Sequence, residues 1–270
     1  MNPRLANRKP LVLSALDEGT LMGTIDHALL RPDMTRQEVE AGVDVAIEWQ
    51  TATVCCRPAD LPLVVSRLRH TVVAACTVIG FPHGSHLPSV KKREAMEAVD
   101  QGAAEVDVVL NFAAFLSGDV RYVRDELSDL VYAVAPTPVK VILETGYLTP
   151  EQVEAACRIA VEARAAFVKN GTGFSPRGAE PGEIALMRRT VGDTVGVKAS
   201  GGIRGLDQML ALLAAGACRI GASGTAAIGT EWRARGAEPI RGLQPARQAG
   251  APESSQTRSQ MTARSPFGLG

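Results

Sequence analysis

Two lysines close apolar runs in this 270-residue chain: Lys169 in FVKNGTGF (167–174) and Lys198 in GVKASGGIR (196–204). Each is followed by a glycine-rich segment, and a third run, EVDVVLN (105–111), carries Asp107 in a similar setting. Two amines and a carboxylate have a definite chemistry open to them. A lysine attacks a carbonyl only as the neutral amine, and at an ordinary pKa of about 10.4 fewer than roughly one in a thousand is neutral at pH 7. A second ammonium about 5 Å away, at an effective dielectric near 20, costs about 3 kcal/mol, a drop of about 2 in pKa. With desolvation added, one lysine reaches the range of about 7–8 that suits covalent catalysis. Its protonated neighbour would serve as acid, and Asp107 would relay protons.

The elements that must position these residues are legible as an alternation. Short β-type runs fall at 24–27, 53–56, 72–79, 105–111, 139–145, 166–170, 195–200 and 218–222. Amphipathic stretches lie between them, among them 35–49, 89–101, 118–135, 149–163 and 206–215. Thr35 with Glu38 reads as a capping box, and Gly102 and Gly216 sit where helices end. Eight strands alternating with helices over about 200 residues point to an α/β fold, a (β/α)8 TIM barrel in a single domain. A doubly wound sheet is the alternative.

Strand alternation decides which side chains enter such a barrel. In EVDVVLN the residues Val106, Val108 and Leu110 share the apolar, helix-facing side, which turns Glu105 and Asp107 inward. The same reading sends Lys140 and Glu144 inward from VKVILET, Lys198 and Ser200 from VGVKAS, and Phe167 with Lys169 from AFVK. Buried charges must pair or lie at an open mouth. Lys140 comes early in its strand, hence deep, and is expected to pair with Glu144 or Glu105. The bland reading of the whole set is a salt-bridge network that plugs the barrel. Active sites of these barrels lie at the C-terminal mouth, where loops after the last two strands commonly bind phosphate. Here those loops are SGGIR (200–204) and GASGT (221–225), whose glycines let backbone N–H groups approach an anion.

Bulk composition narrows the partners. Lysine plus arginine and aspartate plus glutamate number 29 each, so charge gives no case for nucleic acid or an anionic membrane. No run is long and apolar enough to span a bilayer, and the N-terminal stretch has no signal-peptide core. Five cysteines in apolar runs read as buried thiols of a reducing, cytoplasmic compartment, with no metal-ligand spacing. Residues 1–232 are expected to form the barrel, with about the first 20 as an N-terminal cap. Of the 35 residues from 236 to 270, 13 are Pro, Gly or Ser, which suggests a disordered tail from 233 onward, a lid or partner-binding arm being the rival.

The chain resembles the deoxyribose-phosphate aldolases, which are class I, Schiff-base enzymes. The matching stretches are IDHALL (25–30), ATVCCRP (52–58), EVDVVLN, KVILETG (140–146), FVKNGTGF, VKASGGIR (197–204) and RIGASGT (219–225), in order to about residue 230. The resemblance implies a TIM barrel that reversibly cleaves 2-deoxy-D-ribose 5-phosphate to D-glyceraldehyde 3-phosphate and acetaldehyde. It assigns the Schiff base to Lys169 and proton transfer to Asp107 and Lys198. It assigns the substrate phosphate to Gly201, Gly202 and Ser223, with Gly171, Gly221 and neighbouring backbone. It implies no metal and no organic cofactor, a role in deoxynucleoside breakdown, and is compatible with a homodimer. The chain departs from the family at Asn170-Gly171, where Thr-Ser is commoner, and at Ala28, where a threonine is common. The tail has no tyrosine, so a terminal-tyrosine role does not apply.

Other groups invite functional readings. Asp26 and His27 resemble half of a catalytic pair, although a structural role at the start of the first strand serves as well. His83 and His86 read as a mouth loop lacking nearby metal-ligand partners, and of Cys55 and Cys56 one should face the interior and one the helices. The rivals to the aldolase are a Schiff-base barrel aldolase for another sugar phosphate and a non-catalytic sugar-phosphate binder.

Overall fold

The computed structural model describes residues 3–236 and contains a closed barrel of eight parallel strands in sequential order. The strands are β1 (Ile25–Leu29), β2 (Thr53–Cys56), β3 (Ala74–Ile79), β4 (Glu105–Val109), β5 (Val139–Ile142), β6 (Phe167–Lys169), β7 (Gly196–Ser200) and β8 (Arg219–Ala222). Helices follow each strand in turn: α1 (Arg36–Glu48), α2 (Leu61–Arg67), α3 (Pro88–Asp100), α4 (Val120–Val134), α5 (Pro150–Glu162), α6 (Pro181–Val191), α7 (Leu206–Ala214) and α8 (Thr225–Arg235). This is the expected (β/α)8 barrel, and a doubly wound sheet is ruled out by closure between β1 and β8.

Local chemistry fixes the helix ends. Thr35 and Glu38 form the expected capping box at α1, and Thr149 with Gln152 forms a second at α5, each satisfying backbone donors at a helix start. Gly102 and Gly216 adopt φ of +102° and +109° just beyond α3 and α7, a conformation that carries little strain only without a Cβ. The outward faces read from the sequence pack as expected. Val106, Val108, Leu110, Val139, Val141, Leu143, Val195, Val197 and Ala199 belong to the apolar layer between wall and helices.

The N-terminal segment closes the lower end of the barrel. The Arg8 guanidinium lies 4.0 Å from the centre of the Phe167 ring, and its backbone carbonyl accepts a bond from Arg188. The boundary expected after residue 232 falls inside α8. Arg233 pairs with Glu18 at 2.7 Å and covers the Trp49 ring at 4.1 Å, so the folded unit continues through Arg235. The tail expected beyond it lies outside the described residues. No helix among the described residues is long and apolar enough to cross a membrane.

Candidate active site

Strand register assembles the site. Paired residues on neighbouring parallel strands point to the same side of the wall, and the pairing sets Asp107 beside Lys140 and Lys169 beside Lys198. Asp107 is the hub. Its Oδ1 accepts bonds from Lys140 Nζ (2.6 Å) and the Cys76 thiol (3.3 Å), and its Oδ2 from Lys198 Nζ (2.8 Å) and Lys169 Nζ (3.1 Å). Lys198 Nζ also lies 2.6 Å from Asp26 Oδ2. Beneath, Lys140 pairs with Glu105 at 2.8 Å, and Arg219 bridges Asp26 at 2.8 Å and Glu105 at 2.9 Å. Lys169, at 2% exposure, is the most accessible of these eight groups.

Burial by itself would neutralise these groups, raising carboxylates and lowering amines. Their neighbours reverse that. Against burial, Lys140, Lys198 and Lys169 hold Asp107 well below the usual carboxylate range, and Lys140, Lys198 and Arg219 do the same for Asp26. Burial pulls Lys198 down, but Asp107 and Asp26 outweigh it and leave the group above its ordinary value. Lys140 is raised in the same manner, chiefly by Asp107. Repulsion between the two lysines therefore does not depress Lys198, because a carboxylate stands between them. The expected pairing of Lys140 with Glu105 is present, and the one with Glu144 is not. The strand ends at Ile142, and Glu144 takes φ +56°, which swings its carboxylate to the Thr172 backbone N–H at 3.1 Å.

Above the lysines, β6 and β7 are joined by two side chains. Asn170 Oδ1 accepts from the Ser200 backbone N–H at 2.7 Å, and the Ser200 hydroxyl donates to the Gly171 carbonyl at 2.5 Å. The following loop meets the turn after β7 glycine to glycine. A Cβ on Gly178 would fall 2.7 Å from the Gly201 carbonyl oxygen, which already accepts from Ala179 N–H at 3.0 Å. Gly201 and Gly202 adopt φ of +96° and +72°, and exposed Ser223 lies just before Gly224, which has no side chain to cap α8. These two turns follow β7 and β8, the position at which barrels of this kind commonly bind phosphate. Gly221 and Gly171 are placed differently. Gly221 lies in the wall of β8, where a Cβ would sit 2.8 Å from Ser200 Cβ and 3.2 Å from Lys198 Cε. Gly171 offers its carbonyl to Ser200 and lies close against Glu144, whose Oε1 would be 3.0 Å from an added Cβ. Phe81 with Phe174, edge to face at 5.5 Å, and Phe112 with Tyr147, stacked at 5.4 Å, border the loops after β3 to β6.

Asp26 and His27 separate: Asp26 joins the interior network, whereas His27 packs on the opposite face of β1 with Nδ1 2.7 Å from Thr225 Oγ1. Burial pushes His27 down to about 4. Cys55 faces the interior beside Cys76 and Cys56 joins the outer core, while His83 and His86 are exposed on the loop after β3. The donor atoms of Cys55, Cys76 and Asp107 lie within 4.8 Å of one another, the spacing of metal ligands. Both Asp107 oxygens already carry lysine contacts, which oppose a cation there. Sequence reasoning missed Cys76, Arg219 and Gly178. Cys76 and Arg219 sit on strands it had placed, where inward alternation was the available signal, whereas Gly178 lies in a loop it had not described.

The model of the DeoC/LacD family aldolases matches residues 11–233. A deoxyribose-phosphate aldolase of Thermoanaerobacter sp. (strain X514) is 48% identical over 211 residues, which cover 77% of this chain and 95% of that protein. One from Enterococcus faecalis is 46% identical over 205 residues, 76% of this chain and 93% of that protein. Among solved structures, QR15, an aldolase, superposes with a TM-score of 0.77 at 39% identity, covering 80% of this chain and 96% of its own. The deoxyribose phosphate aldolase of Aeropyrum pernix, described as tetrameric, gives 0.76 at 29% identity, covering 81% and 93%. With the family model spanning the barrel and close relatives covered nearly end to end, this chain belongs to the DeoC/LacD family of aldolases.

Proposed function

We propose that the protein is a deoxyribose-phosphate aldolase working through an imine on Lys169. The observation that carries this is the shared Asp107 Oδ2, which receives Lys169 at 3.1 Å and Lys198 at 2.8 Å at the open end of the barrel. Imine formation needs a free amine at one lysine and a proton source beside it. The formal charges of Asp26, Glu105 and Asp107 are matched by Lys140, Lys198 and Arg219, so the network balances without a charge on Lys169.

Lys169 Nζ attacks the C1 aldehyde of open-chain 2-deoxyribose 5-phosphate to form a carbinolamine. Lys198, held as the ammonium, and Asp107 move the protons that release water and leave the protonated imine. Loss of the C3 hydroxyl proton then sends the C2–C3 bonding pair into the imine, which releases glyceraldehyde 3-phosphate and leaves an enamine. Protonation at C2 and hydrolysis of the imine yield acetaldehyde and the free lysine. The imine is the electron sink throughout. Gly201, Gly202 and Ser223 would hold the phosphate through the two turns, with Gly171 and Gly221 giving the close backbone approach around Lys198 and Ser200. We read the protein as serving deoxynucleoside breakdown in the cytoplasm, a role in keeping with that substrate class.

Borohydride reduction in the presence of acetaldehyde tests this reading. A stable ethyl adduct on Lys169, found by peptide mass spectrometry and missing in Lys169→Met, is the expected result. An untouched Lys169 would overturn it.

A further inference from the structure

Asn170 and Ser200 link the strand of the reactive lysine to the turn that would hold the phosphate. Asn170 immediately follows Lys169, and its Oδ1 takes the Ser200 N–H, a donor that can bond only to an oxygen, which fixes the orientation of the carboxamide. The Asn170 main-chain carbonyl is turned away to the Thr145 N–H at 2.8 Å. The side chain thus replaces the backbone as the acceptor that continues the β6–β7 pairing past the lysines. Ser200 answers with its hydroxyl on the Gly171 carbonyl, and Gly201, the next residue, rests on Gly178. All of this is closed off from bulk water: Asn170 is 1% and Ser200 6% exposed.

We infer that the reciprocal Asn170–Ser200 clamp is a positioning device that sets the span between Lys169 and the Gly201–Gly202 turn, and so governs selection for phosphorylated over unphosphorylated sugar. This rests on the function proposed above. A substrate anchored at one end by an imine and at the other by backbone donors tolerates little error in that span. Neither side chain need touch the reacting carbons to control it.

The test uses the full chain with Asn170→Ala, Ser200→Ala and the double substitution. Cleavage of 2-deoxyribose 5-phosphate and of 2-deoxyribose is compared, together with inhibition by inorganic phosphate and trapping of acetaldehyde on Lys169. Loss of one buried hydrogen bond that positions the turn is expected to raise KM for the phosphorylated substrate and the inhibition constant for phosphate about tenfold. The kcat/KM for 2-deoxyribose and the trapping yield should stay within about twofold of wild type, and the double variant should be no worse than the stronger single one. An unchanged preference for the phosphorylated sugar, or an equal fall for both sugars, overturns the inference. If Asn170→Ala does not fold, Ser200→Ala, which removes one hydroxyl and no backbone donor, decides by the same criteria. If wild type forms no acetaldehyde adduct yet phosphate inhibition weakens in the variants, the imine reading falls and the clamp stands. An adduct with unaltered phosphate inhibition is the reverse.

Discussion

Replacing Lys198 by methionine separates its electrostatic role from its chemical one. The ammonium is 1% exposed and lies 2.6 Å from Asp26 and 2.8 Å from Asp107. At an effective dielectric of about 20 each contact is worth about 6 kcal/mol of attraction, most of it offset by desolvation. Removing one partner of a buried pair typically costs about 3–5 kcal/mol. Asp26 keeps Arg219 at 2.8 Å and Lys140 at 3.5 Å, and Asp107 keeps Lys140 at 2.6 Å and Lys169 at 3.1 Å. The remaining partners put the expected loss near the lower end of that range, about 3 kcal/mol, read as a lowered urea midpoint at unchanged slope. Turnover and acetaldehyde trapping should also collapse, since Asp107 Oδ2 is left to pin Lys169 alone as an ammonium. Pairing Lys198→Met with Asp26→Asn removes one charge of each sign. The double variant should regain about 2 kcal/mol over the additive expectation while remaining inactive. Additive stabilities, or a Lys198→Met protein as stable as wild type, would refute the charge network. Near-normal trapping in Lys198→Met would refute the role of Lys198 in freeing the amine.

Buried His27 gives a pH signature of its own. Its pKa is pushed down to about 4 from 6.5, so as pH falls the unfolded chain takes up the proton first. Stability should decline from about pH 6.5 to about pH 4 by a total of about 3 kcal/mol. His27→Gln should flatten that slope in urea titrations at several pH values, and an unchanged slope would sink the assignment. Asp26 and Asp107, which are depressed, protect the fold above the ordinary carboxylate range near 3.8 and lose that effect below it, a separate window. Gly221→Ala places a methyl 2.8 Å from Ser200 Cβ and 3.2 Å from Lys198 Cε, so it should cost about 1–3 kcal/mol and depress kcat. Wild-type kcat and thermal midpoint in that variant would show that the wall yields there.

The barrel was legible because its signals are periodic and local. Alternation in EVDVVLN and VGVKAS separates helix-facing valines from inward Asp107 and Lys198 without any tertiary information, and the Thr35 capping box is written within four residues. Departures arose where the chain leaves its period. Of the two partners that alternation offered Lys140, Glu105 is taken and Glu144 is not, because β5 stops at Ile142 and a left-handed residue redirects the Glu144 carboxylate. The boundary expected at 232 falls inside α8, since the composition shift begins there while Arg233 still packs on Trp49.

The sequence by itself determined that two lysines and an aspartate face the inside of an eight-stranded barrel near its mouth, since facing depends only on the parity of positions along each strand. Tertiary structure alone decided what surrounds them. Register between strands distant in sequence put Asp107 between Lys169 and Lys198, brought Asp26 and Arg219 into the same network, and thereby held Lys198 as a cation against the cost of burial. It also gave Asn170-Gly171 a reason. The carboxamide reaches across to Ser200, and Gly171 leaves room for Glu144. Charge balance and side-chain reach depend on distances between strands, and no single stretch of chain encodes them.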